Sequence, residues 1–161
     1  MQQEKSTEGT LDLRRVRLAH AQLRGISLVR ADLCDAELTE ASLAGADLRA
    51  ALLRKATLIG ADLSDAVLAG ADLRDACFAK ARLAAADLRG ADLTGTDLTD
   101  ATLTGADLRD TDLRGVHGLT AEQLTRALID RAALPPHSPD RPEVRPARRR
   151  ERAPHRRRRG A

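Results

Sequence analysis

Aromatic side chains are almost missing from this chain of 161 residues, which has one Phe (Phe78) and neither Trp nor Tyr. An ordinary globular core relies heavily on aromatic burial, so a conventional compact domain is a poor fit. Long apolar stretches are missing too. No run of about 18 apolar residues occurs, which argues against a transmembrane helix. The opening residues 1–8, Met-Gln-Gln-Glu-Lys-Ser-Thr-Glu, lack the apolar centre of a signal peptide. A cytoplasmic protein with a frayed, disordered N-terminus over 1–8 is the expectation.

What the chain has instead is one phrase repeated. From Leu13 to Leu113 every fifth residue is Leu, with Phe78 the single exception. Two residues before each lies a second row, Ala at nearly every step from Ala31 to Ala106, with Thr96 and Thr111 as near misses. A fixed short period of this kind signals a repeat architecture. On an α-helix a five-residue step advances about 140° past a full turn, so the leucines would smear around the cylinder. On a flat strand an odd step sends successive side chains to opposite faces. A chain that bends at every repeat and closes into a coil places every Leu on one inner side. Stacked coils then bury the Leu and Ala rows continuously, with neighbouring backbones about 4.8 Å apart.

The period alone allows three or four repeats per coil. Grouping by twenty favours four, because the residues preceding Leu then sort into contrasting columns. One reads Asp12, Asp32, Leu52, Asp72, Asp92, Asp112, and another Gln22, Ser42, Asp62, Arg82, Thr102. With these residues in view, the stretch resembles the pentapeptide-repeat family. The resemblance implies an all-β solenoid, a right-handed quadrilateral β-helix of about five coils spanning 9–118.

Outward positions flank each Leu. Asp often precedes and Arg often follows, as in Asp47-Leu48-Arg49, Asp72-Leu73-Arg74, Asp87-Leu88-Arg89, Asp107-Leu108-Arg109 and Asp112-Leu113-Arg114. Residues two apart on an extended stretch share a side, so these should be local ion pairs on a solvated face. The column Asp12, Asp32, Asp72, Asp92, Asp112 is one candidate interaction surface. Leu52, Ile59 and Val67, apolar where charge is usual, are candidates for a lateral contact with a partner or a second copy. Bulkier residues in the small row of the first repeats, Leu11, Val16 and Ile26, either plug the open end or form an interface. Cys34 and Cys77 fall on different faces about 10 Å apart along the axis, too far for a disulfide, and no His or further Cys shares either column.

The repeat ends at Gly115 and Gly118. Thr120 then reads as an N-cap, with Gln123 as capping-box partner and Leu119 and Leu124 as a hydrophobic staple. A short helix within 119–134, with Leu124, Ala127, Leu128 and Ala132 on one apolar face, should cover the last coil before Pro135-Pro136. The resemblance adds dimerisation through this region as a second role. Residues 135–161 hold all six prolines and the Arg cluster Arg148, Arg149, Arg150, Arg152, Arg156, Arg157, Arg158 and Arg159, so a disordered basic tail is expected. From Arg131 onward eleven Arg face three acids, a balance of +8, whereas 9–118 carries seventeen acids against fourteen bases, a balance of −3. Arg outnumbers Lys by twenty-four to three, which points to a GC-rich bacterial source.

No catalytic motif, metal-ligand spacing or phosphate loop appears, so neither an enzyme nor a cofactor is expected. A rigid protein–protein interaction scaffold is the leading reading. The resemblance implies an alternative, since some members resemble B-DNA and bind DNA gyrase or another type II topoisomerase, protecting it from quinolones. Charge weighs against it. A rod of roughly 25 Å matches about seven base pairs carrying about fifteen charges, against −3 here. The third reading is a nonspecific, salt-sensitive nucleic-acid tether through the Arg-rich tail.

Overall fold

A computed structural model describes residues 10–130. The expected disorder of 1–8 and of 135–161 lies outside the described residues. Within them the chain is a β-solenoid. The residue before each Leu pairs in parallel with the one twenty positions on: Asp12 with Asp32, Arg17 with Glu37, Gln22 with Ser42, Ser27 with Asp47, and so on to Asp97 with His117. Twenty residues are four repeats, so each coil has four sides. We number them from the sides carrying Leu33, Leu38, Leu43 and Leu48, as first to fourth face.

One repeat shows how the phrase folds. Ala31 and Leu33 point inward and are fully buried. Leu33 N–H donates to Leu52 C=O at 2.7 Å on the next coil, and Asp32 N–H donates to Leu11 C=O at 2.9 Å on the previous one. A β-turn then swings the chain onto the next face, closed by Ala36 N–H donating to Leu33 C=O at 3.0 Å. Its third residue, Asp35, has φ 58°, and every fifth residue from Arg15 to Gly115 shares this left-handed backbone. That is the requirement of a type II turn, for which Gly is the unstrained choice. Thirteen of the corners nevertheless carry another residue, so at those sites burial of the rows outweighs a strain of about 1–2 kcal/mol per residue.

The core is a stack of Leu and Ala layers. From Leu28 to Leu113 the Leu row is at most 4% exposed, and Phe78 takes its place in the row at 1%. Each such side chain contributes about 1.5–3 kcal/mol of burial. Thr96 stands in the small row fully buried, and its hydroxyl donates to Leu73 C=O at 2.9 Å. The first coil is looser. Val16 and Ile26 pack against the core as half-buried side chains, but Leu11 is 52% exposed and plugs nothing.

At the far end α1, Ala121–Arg126, begins with the expected capping box: Gln123 N–H donates to Thr120 Oγ1, and Thr120 N–H donates to Gln123 Oε1. Gln123 has a second task that its spacing did not disclose. Its Nε2 donates to Leu98 C=O at 3.0 Å and Ala101 C=O at 2.9 Å, pinning α1 to the last full coil. The helix is shorter than expected. Ala127 is already extended, at φ −99° and ψ 161°, and Leu128 rejoins the fourth-face ladder beside Asp107. Leu128 N–H donates to Ala106 C=O at 2.8 Å and Leu108 N–H donates to Leu128 C=O at 2.8 Å, so pairing with the coil edge ends the helix. Leu128 therefore does not share the helical face with Leu124 and is 54% exposed.

Candidate interaction surfaces

The structure brings the aspartate column together. Asp12, Asp32, Leu52, Asp72, Asp92 and Asp112 are successive bridge partners on the first face. Ile59 follows Leu58 on the second face and Val67 precedes Leu68 on the fourth, so the three apolar candidates do not form one patch. Leu52 and Ile59 are 38% and 39% exposed, and Val67 is half-buried. The eight Arg candidates from Arg148 to Arg159 lie outside the described residues.

Each aspartate of the file first serves its own turn. Asp32 Oδ1 accepts from Cys34 N–H at 3.1 Å, Asp72 Oδ1 from Arg74 N–H at 3.3 Å, and Asp92 Oδ1 from Thr94 N–H at 3.0 Å. The carboxylate thus satisfies a turn N–H that the ladder does not use, which is why Asp is favoured here. Where Arg follows, the guanidinium adds a fork. Arg14 Nη2 donates to Asp12 at 2.7 Å, Arg74 Nη2 to Asp72 at 2.5 Å and Arg114 Nη2 to Asp112 at 2.5 Å.

These forks reach along the axis as well. Arg14 Nε lies 3.7 Å from Asp32, and Arg74 Nε lies 3.5 Å from Asp92. All five acids of the file therefore have an Arg within ion-pair distance. The Arg14 hydrogen bonds hold Asp12 down at about 2, and the Arg114 hydrogen bonds do the same for Asp112. Asp72 is lowered chiefly by Arg74. Three Arg thus serve five acids, and the file is a partly neutralised ladder rather than a bare acidic stripe.

The fourth face repeats the device. Arg89 donates to Asp87 and Arg109 to Asp107, and Arg89 Nε also lies 3.7 Å from Asp107 on the next coil. Asp107 is pulled down to about 2, mainly by Arg109. Burial and then the Asp32 carboxylate push Cys34 up, and Cys77 Sγ sits 3.9 Å from Asp97 Oδ2. Among the described residues no group of His, Cys, Asp and Glu could hold a metal ion, and no helix is long and apolar enough to cross a membrane.

One surface feature escaped sequence reasoning. Val29, 41% exposed, joins Leu11 and Leu52 around an open groove of about 520 Å³ at the start of the rod. Its column otherwise reads Arg49, Ala69, Arg89, Arg109. A Val among arginines was the available signal.

The model of the family described as pentapeptide repeats matches residues 12–49, 46–83 and 76–115. The chain belongs to the pentapeptide repeat family. Solved pentapeptide repeat proteins match it in turn. Rfr23 from the cyanobacterium Cyanothece 51142 is 25% identical, over 74% of this chain and 84% of that one, with a TM-score of 0.45. A pentapeptide repeat protein from the Arabidopsis thaliana thylakoid lumen is 31% identical, over 70% and 74%, with a TM-score of 0.42. QnrB1, a plasmid-mediated fluoroquinolone resistance protein, is 24% identical over 71% of this chain, with a TM-score of 0.50. The matched region spans 57% of QnrB1's length, and the likeness is one of fold. No curated protein matches the chain.

Proposed function

We propose that this pentapeptide repeat protein is a non-catalytic scaffold: residues 9–118 form a right-handed quadrilateral β-helix of about five coils, closed by 119–134, on whose sides a partner protein docks. The observation that supports this most is the first-face file. Its side chains are fixed in place by their own turns and by Arg forks, so a partner would meet a surface that loses little conformational freedom on binding. Leu52 interrupts the file with an exposed apolar contact at its middle. Ile59 and Val67 extend the docking candidates to the neighbouring faces.

The test is partner recovery from source cells with first-face variants (Leu52→Glu, Asp72→Arg) and third-face variants (Ser42→Arg, Thr102→Arg). Loss of one specific partner only with the first-face variants is expected. Equal recovery with all four, or equal loss, removes the first face as the docking side.

The topoisomerase alternative is tested separately in a gyrase supercoiling assay with and without a quinolone. No inhibition and no protection are expected, because Arg partners offset much of the aspartate file and residues 9–118 net only −3. Salt-sensitive DNA retention by the full chain would favour the tether reading of the Arg-rich residues beyond 134.

A further inference from the structure

Over the described residues the two ends of the rod are opposite in charge, and both expose apolar side chains on or beside the fourth face. Residues 11–30 carry Arg14, Arg15, Arg17, Arg24 and Arg30 against Asp12 alone, a balance of +4. Residues 91–130 carry eight acids against three Arg, a balance of −5. At the first coils the groove formed by Leu11, Leu28, Val29 and Leu52 has Arg30 as its one charged wall residue. At the other end the fourth face finishes with exposed Leu128. Nearby, Asp110 N–H donates to the Asp130 carboxylate at 3.0 Å.

Strand polarity matches as well. In the ladder the residue before each Leu directs both backbone groups to the preceding coil: Asp107 N–H donates to Ala86 C=O, and Leu88 N–H donates to Asp107 C=O, each at 2.9 Å. By the same rule Ser27 N–H and C=O point outward from the first coil, while Ala127 C=O and Ile129 N–H point outward from the last strand. None of these four groups has a backbone partner among the described residues. Open strand edges of this kind template pairing with another chain.

We propose that the protein associates with a second copy of itself head to tail, the Leu128 strand of one copy docking in parallel on the Ser27–Val29 edge of the next. Leu128 enters the Leu11–Val29–Leu52 groove. The contact is heterologous and open-ended. It concerns the ends of the rod and stands apart from the lateral scaffold reading. A coil end is small, so the interface belongs to the class below about 1,200 Å² that is weak and transient.

Sedimentation velocity on the full chain tests this. The mass should rise with concentration above the 17.3 kDa monomer. It should fall back as salt goes from about 0.1 to about 1 M, where the screening length drops from about 10 to about 3 Å. Val29→Asp and Leu128→Lys should each be monomeric alone, because each lacks one end. Mixed, they should form a 1:1 pair of twice the monomer mass, because the intact ends fit each other. If either variant melts below the parent, Ser27→Pro and Ile129→Pro, each removing an outward N–H that has no backbone partner among the described residues, replace the pair, with the same mixing result expected. A parent that stays monomeric at every concentration overturns the proposal. So does a mixture that stays monomeric, or a single variant that still self-associates as the parent does, since that would mean like ends pairing.

Discussion

Leu18 and Leu63 occupy the same place in the same repeat, yet Leu63 is fully buried and Leu18 only half so. The difference lies in what covers them. Leu63 has a coil above and a coil below, whereas Leu18 belongs to the first coil and has a described neighbour on one side. In a solenoid each repeat contacts only its neighbours, so an equivalent side chain contributes less in a terminal coil than in the middle.

Truncation should expose this difference most strongly. Leu63→Ala leaves a cavity with little room to relax and should cost about 2–5 kcal/mol. Leu18→Ala should cost less than half as much in the same denaturant titration. Equal losses would mean that the first coil is as closely packed as the middle.

Glycine substitution sharpens the contrast in the backbone. A Cβ on Gly118 would collide with Thr99 Oγ1 and lie 2.6 Å from that residue's Cα and N, at a φ of 69°. Gly25, on the first coil, has φ 64° but nothing within 4 Å of a Cβ. Gly118→Ala should therefore cost about 3 kcal/mol, from overpacking added to strain. Gly25→Ala should cost about 1 kcal/mol from strain alone, a difference that melting temperatures will resolve.

The reverse exchange should stabilise. Ala50 and Ala85 hold left-handed corners at φ 53° and 56°. Replacing either by Gly should raise stability by about 0.5–1 kcal/mol, the released strain less the extra freedom of Gly in the unfolded chain.

The smallest effect is the pH response. Asp12, Asp107 and Asp112 are held at about 2 against an ordinary 3.8. A depressed carboxylate stabilises the fold above its unfolded pKa, and that contribution is lost as pH falls through the folded value. Stability should be level from pH 7 to 5 and decline between about 4 and 2. The decline should be shallow, because these pairs are exposed to solvent and screened. A fall that began above pH 5 would implicate other groups.

Much of this was legible in the residues. The Leu and Ala rows required an inner side, and the twenty-residue columns favoured four repeats per coil over three before the Asp12–Asp32 ladder displayed four. Thr120 and Gln123 announced a helix start. The helix end was not legible, because Leu128 leaves the helical period for a strand partner, Asp107, that only the three-dimensional stack brings close. The ion pairs of Asp were legible, but its turn bond was not. Read as half of an ion pair, it persists before Cys34, Ser64 and Thr94, where no Arg follows. That persistence marks the turn bond as its constant role. The Val29 groove was missed because its walls come from three successive coils.

A ladder in which each pairing skips twenty residues also makes the chain a screw with a fixed thread. Removing residues 51–70 would take out one whole thread, shortening the rod by about 4.8 Å and leaving every later side chain on its own face. Removing only five would turn everything downstream through a quarter revolution, carrying the later aspartates of the first face around to a different side. Removing one would drive Leu out of the core at every later step. Rods of this kind can lengthen or shorten by whole threads without changing what their sides present.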